Sequence, residues 1–199
     1  GPTGTAKTDI VRALIRRGAQ AVDLEGLAGH KGSVFGGREA DQPAQKLFES
    51  RLWSALRGMD LTQPVLLEAE SSLIGRIHVP RALWSAMQGA PRIEVSAPQA
   101  ARLDFLLSAY SDLLEDPAAV SGALDRIADF QPKARMTDWR GFVAARDWRA
   151  LAAGLMAHHY DPLYARARKK RGGEALATIA LSSLSPDAIE DAAAVLARL

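Results

Sequence analysis

The chain has 199 residues, 48% hydrophobic and 24% charged. That is enough for one globular domain and a small second one at ~100–200 residues per domain, and no stretch approaches the ~18 apolar residues of a membrane span. Cysteine is absent, which excludes disulfides, thiolate zinc sites, iron–sulfur clusters and a cysteine nucleophile within these residues. Net charge is +2, but residues 1–130 carry 14 basic and 16 acidic side chains whereas residues 131–172 carry 10 and 3. A near-neutral body is thus followed by a basic segment, suited either to a polyanion or to a solvated helical surface.

The chain opens Gly1-Pro-Thr-Gly4-Thr5-Ala6-Lys7-Thr8. This is the phosphate-loop pattern G-x-x-x-x-G-K-[ST] with Ala6 in place of the second glycine. In such a loop backbone N–H groups turn inward around a phosphate, the lysine brings a point charge and the Thr hydroxyl reaches Mg²⁺. Residues 9–18 carry apolar side chains at 10, 11, 14 and 15 and a glycine at 18, which predicts a helix whose N-terminus receives the anion. Gly1, Gly4, Thr5, Ala6, Lys7 and Thr8 are therefore candidate phosphate-binding residues, with Lys7 also a catalytic candidate and Thr8 a Mg²⁺ ligand candidate. If position 6 requires a positive φ, its Cβ costs roughly 1–2 kcal/mol; in the helical region it costs little. A phosphate loop ordinarily follows a buried strand, so a first strand is expected upstream of Gly1.

Residues 20–24 read as a short strand, followed by a turn-rich stretch to Gly37 with five glycines. A polar, glycine-rich loop after a strand is either a functional site or a plain surface connection. Residues 42–57 read as a helix with Leu47, Phe48, Leu52, Ala55 and Leu56 on one side. Residues 64–68 are a second strand ending in Glu68 and followed by Glu70. Carboxylates at a strand end either orient Mg²⁺ or supply a base in this class of sheet, or are simple surface acids. A helix at 80–87, a strand at 91–96 and a helix at 98–114 follow, the last with Arg102 facing either a phosphate or solvent. Beyond 115 the segments 117–129, 138–158 and 174–199 all read as helices. Of the four histidines, His30, His78, His158 and His159, only the last two are close in sequence, and neighbours on a helix point about 100° apart, which makes them poor joint metal ligands. The alternation predicts an α/β fold, a phosphate-loop NTPase-like parallel sheet with flanking helices over 1–115, followed by an all-helical C-terminal extension over 116–199.

Four stretches carry a resemblance to a known family. They are the Gly1–Thr8 loop, Asp23-Leu-Glu-Gly-Leu-Ala-Gly-His-Lys-Gly-Ser33 with Phe35-Gly36, Gln42-Pro43 with Gln45-Lys46 and Phe48-Glu49, and Glu68-Ala-Glu-Ser-Ser-Leu-Ile-Gly75. Together with Tyr160-Asp-Pro-Leu-Tyr164 and the basic residues after it, they resemble tRNA 2-selenouridine synthase from residue 1 to about 171. The resemblance implies a phosphate-loop domain joined in a longer chain to a rhodanese-like domain bearing an essential cysteine; with no secretory signal pattern at the start of the sequence, the expected location is the cytoplasm, without a membrane partner. It implies a transferase that converts 2-thiouridine at the tRNA wobble position to 2-selenouridine through an S-geranyl intermediate. Geranyl diphosphate and selenophosphate would be the small substrates.

On that reading Lys7, Thr8 and the loop N–H groups serve diphosphate departure, and Glu68 or Glu70 holds Mg²⁺ through water. Lys31, standing where the family has Arg, and Ser33 join the phosphate contacts; Lys31 keeps the charge but loses a bidentate contact. His30 donates to an oxyanion or moves a proton, or is structural. Tyr160 and Tyr164 stack on splayed bases or pack a helix end, while Arg166, Arg168, Lys169, Lys170 and Arg171 meet phosphates. Three other readings compete: a tRNA dimethylallyl transferase, whose phosphate loop also begins Gly-Pro-Thr but whose resemblance stops after residue 9; a small-molecule kinase; and a tRNA-binding fragment without catalysis of its own.

Overall fold

The computed structural model describes residues 1–37, 42–69 and 71–198. The protein is α/β: among the described residues it has eleven α-helices and three two-stranded sheets, two of them parallel. It divides into two compact units, residues 6–92 with 185–199, and residues 1–5 with 93–184. This differs from the break near residue 116 expected from sequence. No helix among the described residues is long and apolar enough to cross a membrane.

In the 6–92 unit, helix α1 (Lys7–Arg16) buries Ile10, Val11 and Leu14 as the apolar spacing predicts, with Ala13 beside them, whereas Ile15, the fourth predicted position, is exposed. Strand β1 (Ala21–Val22) pairs in parallel with β2 (Leu66–Leu67), Val22 opposite Leu67. Helix α2 (Leu24–Ala28) starts at once after β1, because Asp23 caps it by accepting from the Gly26 N–H, and it stops at Gly29 in the left-handed region. Helix α3 (Gln45–Leu56) contributes Phe48 and Leu52 to a core shared with Val22, Leu24, Ala28, Ile74, Ile77 and Val79. A hairpin, β3 (Leu73–Ile74) and β4 (Ile77–His78), turns at Gly75 with φ 59°. Gln42 ties that hairpin down. Its buried side chain donates to the Ala28 and Ile74 carbonyls at 3.1 and 2.9 Å and accepts from the Arg76 N–H at 2.8 Å. A Cβ at Gly75 would run into the Gln42 amide, so the turn needs glycine on two counts. Helix α4 (Arg81–Gly89) follows. Helix α11 (Pro186–Leu196) packs on α1 through Ile189, Ala192, Ala193 and Leu196, and its Glu190 accepts from both Arg16 and Arg17, at 2.6 and 3.1 Å.

In the 93–184 unit, β5 (Ile93–Ser96) pairs in parallel with β6 (Ala177–Ala180), Ile93 opposite Ala177. This corrects the expectation of an all-helical region after 116. The segment Ala-Thr-Ile-Ala is too short to show a period, and its strand state comes from the partner at β5. Helices α5 (Gln99–Ala109), α6 (Ser111–Leu114), α7 (Pro117–Asp125), α8 (Lys133–Ala144) and α9 (Trp148–Leu155) follow. Their core holds Val120, Leu124, Met136, Trp139, Val143, Leu151 and Leu155. The expected single helix over 138–158 is broken between α8 and α9. Arg146 takes φ 53°, and Asp147 caps a new start by accepting from the Ala150 N–H at 3.0 Å. Helix α9 runs through a π turn (Met156–Tyr160) into α10 (Asp161–Arg171). Pro162 explains the turn: in a regular helix its ring would clash with the carbonyl four residues back, and the wider π turn takes up the misfit.

Candidate functional site

The opening loop resolves the question at position 6. Ala6 has φ 54°, in the left-handed region, and Gly4 has φ 78°. Ala6 is buried and stands as the N-cap of α1, whose start no side chain caps. The Cβ at position 6 therefore carries the penalty of roughly 1–2 kcal/mol that glycine avoids. The Thr5 hydroxyl, fully buried, donates to the Pro2 carbonyl at 2.9 Å and holds the turn closed. Gly1 and Gly4 lie against other residues of the 93–184 unit. A Cβ at Gly1 would strike the Val95 carbonyl, and one at Gly4 would come within 2.9 Å of Leu106 and 3.2 Å of the Arg102 carbonyl.

Behind the first turn of α1 runs a chain of carboxylates. The parallel pairing of β1 and β2 puts the carboxyl ends of both strands side by side, so Asp23 and Glu25 after β1 come to Glu68 after β2. The Thr8 hydroxyl donates to Glu25 Oε2 at 2.7 Å, and the Glu25 N–H donates to Glu68 Oε1 at 3.1 Å. Glu68 is 3% exposed, and its Oε2 is buried without a hydrogen-bond partner. Burial, reinforced by the charges of Asp23 and Glu25, pushes the Glu68 carboxyl up to about 8, against the N–H donor that favours its anion. Asp23 is neutralised in turn by Arg12, Nε to Oδ2 at 2.6 Å. Glu70 lies outside the described residues.

His30 is buried after the C-terminus of α2, its Nδ1 accepting from the Gly32 N–H at 3.1 Å. That bond places the proton of the neutral ring on Nε2. Residues 31–36 close into a small turn: the Lys31 N–H meets the Gly36 carbonyl at 2.8 Å, and the Ser33 hydroxyl oxygen accepts from the Phe35 N–H at 3.2 Å. A Cβ at Gly36 would come within 3.0 Å of His30 Cε1, so the glycines there let the backbone wrap the ring. Lys31 is exposed and Ser33 half-buried.

Arg102 is neither solvated nor alone. It is buried on α5, with Nε donating to the Thr3 carbonyl at 2.8 Å and both terminal nitrogens donating to Asp161, at 3.1 and 2.6 Å. Asp161 begins α10. On that helix Tyr164, Arg168 and Arg171 fall on one stripe by helical spacing, with Tyr160 of the π turn just before it, and Arg168 Nε bridges Glu94 of β5 at 2.9 Å. Both tyrosines are half-buried, and the ring of Tyr160 meets that of His159 edge-on at 4.8 Å. Arg166, Lys169 and Lys170 lie on the opposite arc and are exposed. Arg168 is exposed as well, even as it bridges Glu94, so of the five cations only Arg171 is half-buried.

Sequence reasoning missed Glu25, Gln42 and Asp161. The strand-end rule that singled out Glu68 points equally to Asp23 and Glu25 at the end of β1. Nothing local in the sequence announces the pairing of Asp161 with a residue 59 positions away.

The oxygens of Thr8, Glu25 and Glu68 are all hard donors, and Glu68, held protonated near neutral pH by its burial, offers its buried Oε2 to a cation once that proton is displaced. That chemistry fits Mg²⁺, which keeps waters and takes only one or two protein carboxylates. Among the described residues no three acidic or imidazole side chains gather as an all-protein cage.

The chain is thus an α/β protein whose opening loop leads into a helix N-terminus backed by a buried carboxyl. It belongs to the tRNA 2-selenouridine synthase family: the family profile described as the tRNA 2-selenouridine synthase AAA domain matches residues 1–138. Among relatives named tRNA 2-selenouridine synthase, the one from Chromohalobacter salexigens is 34% identical over 82% of this chain and 51% of its own length. The one from Azotobacter vinelandii is 31% identical over 86% of this chain and 53% of its own. The one from Shewanella frigidimarina is 46% identical over 55% of this chain and 30% of its own. The chain spans about half the length, or less, of the curated relatives it matches. No solved structure matches it.

Proposed function

We propose that this chain is the phosphate-loop part of a transferase that makes 2-selenouridine from 2-thiouridine in tRNA through an S-geranyl intermediate. The single observation that carries the reading is the relay Thr8–Glu25–Glu68 at the start of α1, in a chain of the family named for that product. The fold proposed is that of a phosphate-loop NTPase, with the loop turned to diphosphate departure instead of nucleotide hydrolysis.

The thiocarbonyl sulfur of 2-thiouridine is a soft nucleophile, and the allylic carbon of geranyl diphosphate is its electrophile. The C–S bond forms as the C–O bond breaks, and the electron pair leaves with diphosphate. Fixed donors aimed at that leaving charge lower the barrier. Lys7 and the backbone N–H groups of Gly4, Thr5, Ala6 and Thr8 supply them, with the dipole of α1 behind. Lys31, on its exposed turn, adds charge, and Ser33 a hydroxyl. Thr8 and Glu68, or Glu70, would hold Mg²⁺, which would supply further charge for the departing oxygens. Glu25 fixes the Thr8 hydroxyl. His30, with its proton on Nε2, donates to an oxyanion in the selenium step, for which selenophosphate is the selenium source.

The proposed tRNA surface is α10. Arg166, Lys169 and Lys170 meet phosphates directly, and Arg168 and Arg171 flank them. Tyr160 and Tyr164 pack the root of the helix and offer their ring edges to splayed bases. A rhodanese-like domain is the proposed partner for the thiol chemistry that this cysteine-free segment does not contain.

The test supplies the full-length protein with geranyl diphosphate and 2-thiouridine tRNA and searches the digested nucleosides for S-geranyl-2-thiouridine by mass spectrometry. Lys7→Ala is expected to lower transfer by at least ~10²-fold; full transfer by that variant would refute the assignment. ATP turnover without transfer would favour a small-molecule kinase, and tRNA binding without either would favour a purely binding module.

A further inference from the structure

We propose that Arg102 is a positioning residue that couples the basic helix α10 to the first half of the phosphate loop, so that tRNA on α10 tightens the grip of the loop on diphosphate. This inference rests on the functional reading above. Every contact it uses lies within one unit, residues 1–5 with 93–184.

The guanidinium is planar, and all three of its nitrogens are used. Nε takes the Thr3 carbonyl, and the two terminal nitrogens grip the carboxylate of Asp161. Because the donors lie in one rigid fork, the direction of the Thr3 carbonyl is tied to the position of the first residue of α10. Arg102 is buried, with 8% of its side chain exposed, whereas Asp161 is 37% exposed. The fork is thus anchored at the loop side and reachable from the helix side. The loop lies close against α5, where a Cβ at position 4 would come within 2.9 Å of Leu106 and 3.2 Å of the Arg102 carbonyl, so only glycine fits there. Turning the Thr3–Gly4 peptide changes where the next N–H groups point, and these are the groups proposed to meet phosphate.

The tRNA phosphates bind the exposed cations Arg166, Lys169 and Lys170 of α10. A polyanion that holds α10 in the arrangement seen here also holds Asp161 against the fork, and so favours the loop conformation with Thr3 fixed. Linkage makes the effect reciprocal: diphosphate in the loop must tighten tRNA by the same factor. A lysine at 102 would keep the charge yet could not serve the Thr3 carbonyl and both carboxylate oxygens together.

The experiment measures the dissociation constant of inorganic diphosphate for the full-length protein by calorimetry, with and without saturating tRNA, and the tRNA constant with and without diphosphate. In the wild type each ligand is expected to tighten the other by at least about fivefold. Asp161→Asn is expected to leave each separate affinity within about threefold while the mutual factor falls towards one. Arg102→Lys is expected to do the same, and loss of folding in that variant leaves Asp161→Asn, at the more exposed end of the pair, as the deciding one. A purely structural role would lower both affinities and keep their ratio. A wild-type factor of one, with both ligands bound, overturns the coupling but leaves the functional reading standing. A coupling factor unchanged in Asp161→Asn also overturns it. Failure of the wild type to bind diphosphate at all overturns the functional reading and this inference with it.

Discussion

Glu68→Gln is expected to stabilise the protein on the alkaline side only. Burial holds the Glu68 carboxyl near 8 in the folded chain, against an ordinary value of 4.5. The folded state therefore grips the proton more tightly than the unfolded one, and between those two values unfolding releases it. The contribution of the group is intact below the unfolded value and is lost as pH rises towards the folded one. The loss runs at about 1.4 kcal/mol per pH unit, so two units between pH 5.5 and 7.5 cost about 2–3 kcal/mol. The E68Q amide keeps a carbonyl for the Glu25 N–H and cannot ionise. Near pH 5 the two proteins should differ only by the new amide N–H₂, which needs a partner. Urea denaturation at half-unit steps from pH 5 to 8 reads the difference. The variant should gain steadily on the wild type as pH rises, while geranyl transfer falls because the carboxylate proposed to hold Mg²⁺ is gone. Parallel stability curves across that range would refute the argument, since they would mean that Glu68 ionises in the folded state as easily as in the unfolded one.

Reversing three exposed cations of α10 that make no ion pair with Glu94 (R166E, K169E, K170E) should flatten the salt dependence of tRNA binding, lowering the slope of log K against log salt by about 2 if each meets one phosphate; binding titrations across a salt series check it. Gln42→Ala removes three hydrogen bonds and leaves the Ala28 and Ile74 carbonyls and the Arg76 N–H to find new partners. A cost of roughly 2–4 kcal/mol follows, read from the urea midpoint. In Ala6→Gly the relieved left-handed strain of roughly 1–2 kcal/mol is offset by unfolded-chain entropy of ~0.4–1 kcal/mol and a lost buried methyl of ~0.8 kcal/mol. A melting shift within about 3 °C is expected, and a much larger gain would mean that the loop carries strain beyond that one φ.

Much of the fold was legible because the core faces obey a period. The buried face of α1 and the Phe48–Leu52 pair of α3 stand where spacing puts them, and β1, β2 and β5 fall inside the expected strands. The missed strands share a cause, since each is defined by a partner distant in sequence. Strand β6 is four residues long and pairs with β5 some 84 positions earlier. The hairpin β3–β4 has two residues in each strand and is held by Gln42 across 32 to 34 positions. Helix α2 hid inside a glycine-rich stretch that reads as loop. Its start signal was nevertheless local: Asp23 with Gly26 three residues on forms a side-chain cap.

The site was legible in its parts and not in its wiring. Lys7, Thr8, His30 and Glu68 are singled out by motif chemistry, but a motif states which groups to examine and not what their neighbours do to them. From sequence Glu68 is either a Mg²⁺-orienting or base-providing carboxylate or a surface acid; parallel pairing of β1 with β2 puts two more carboxylates beside it and closes water out, and that environment sets its proton affinity. Arg102 looked solvated, because an arginine in the first turn of a helix usually is. Its burial and its two partners depend on where residues 3 and 161 come to lie. The difference bears on function. A solvated Arg102 could at most lend charge to a phosphate. A buried one, with its fork shared between the loop and the basic helix, can transmit the state of one to the other, and only the folded chain brings those two ends to the same side chain.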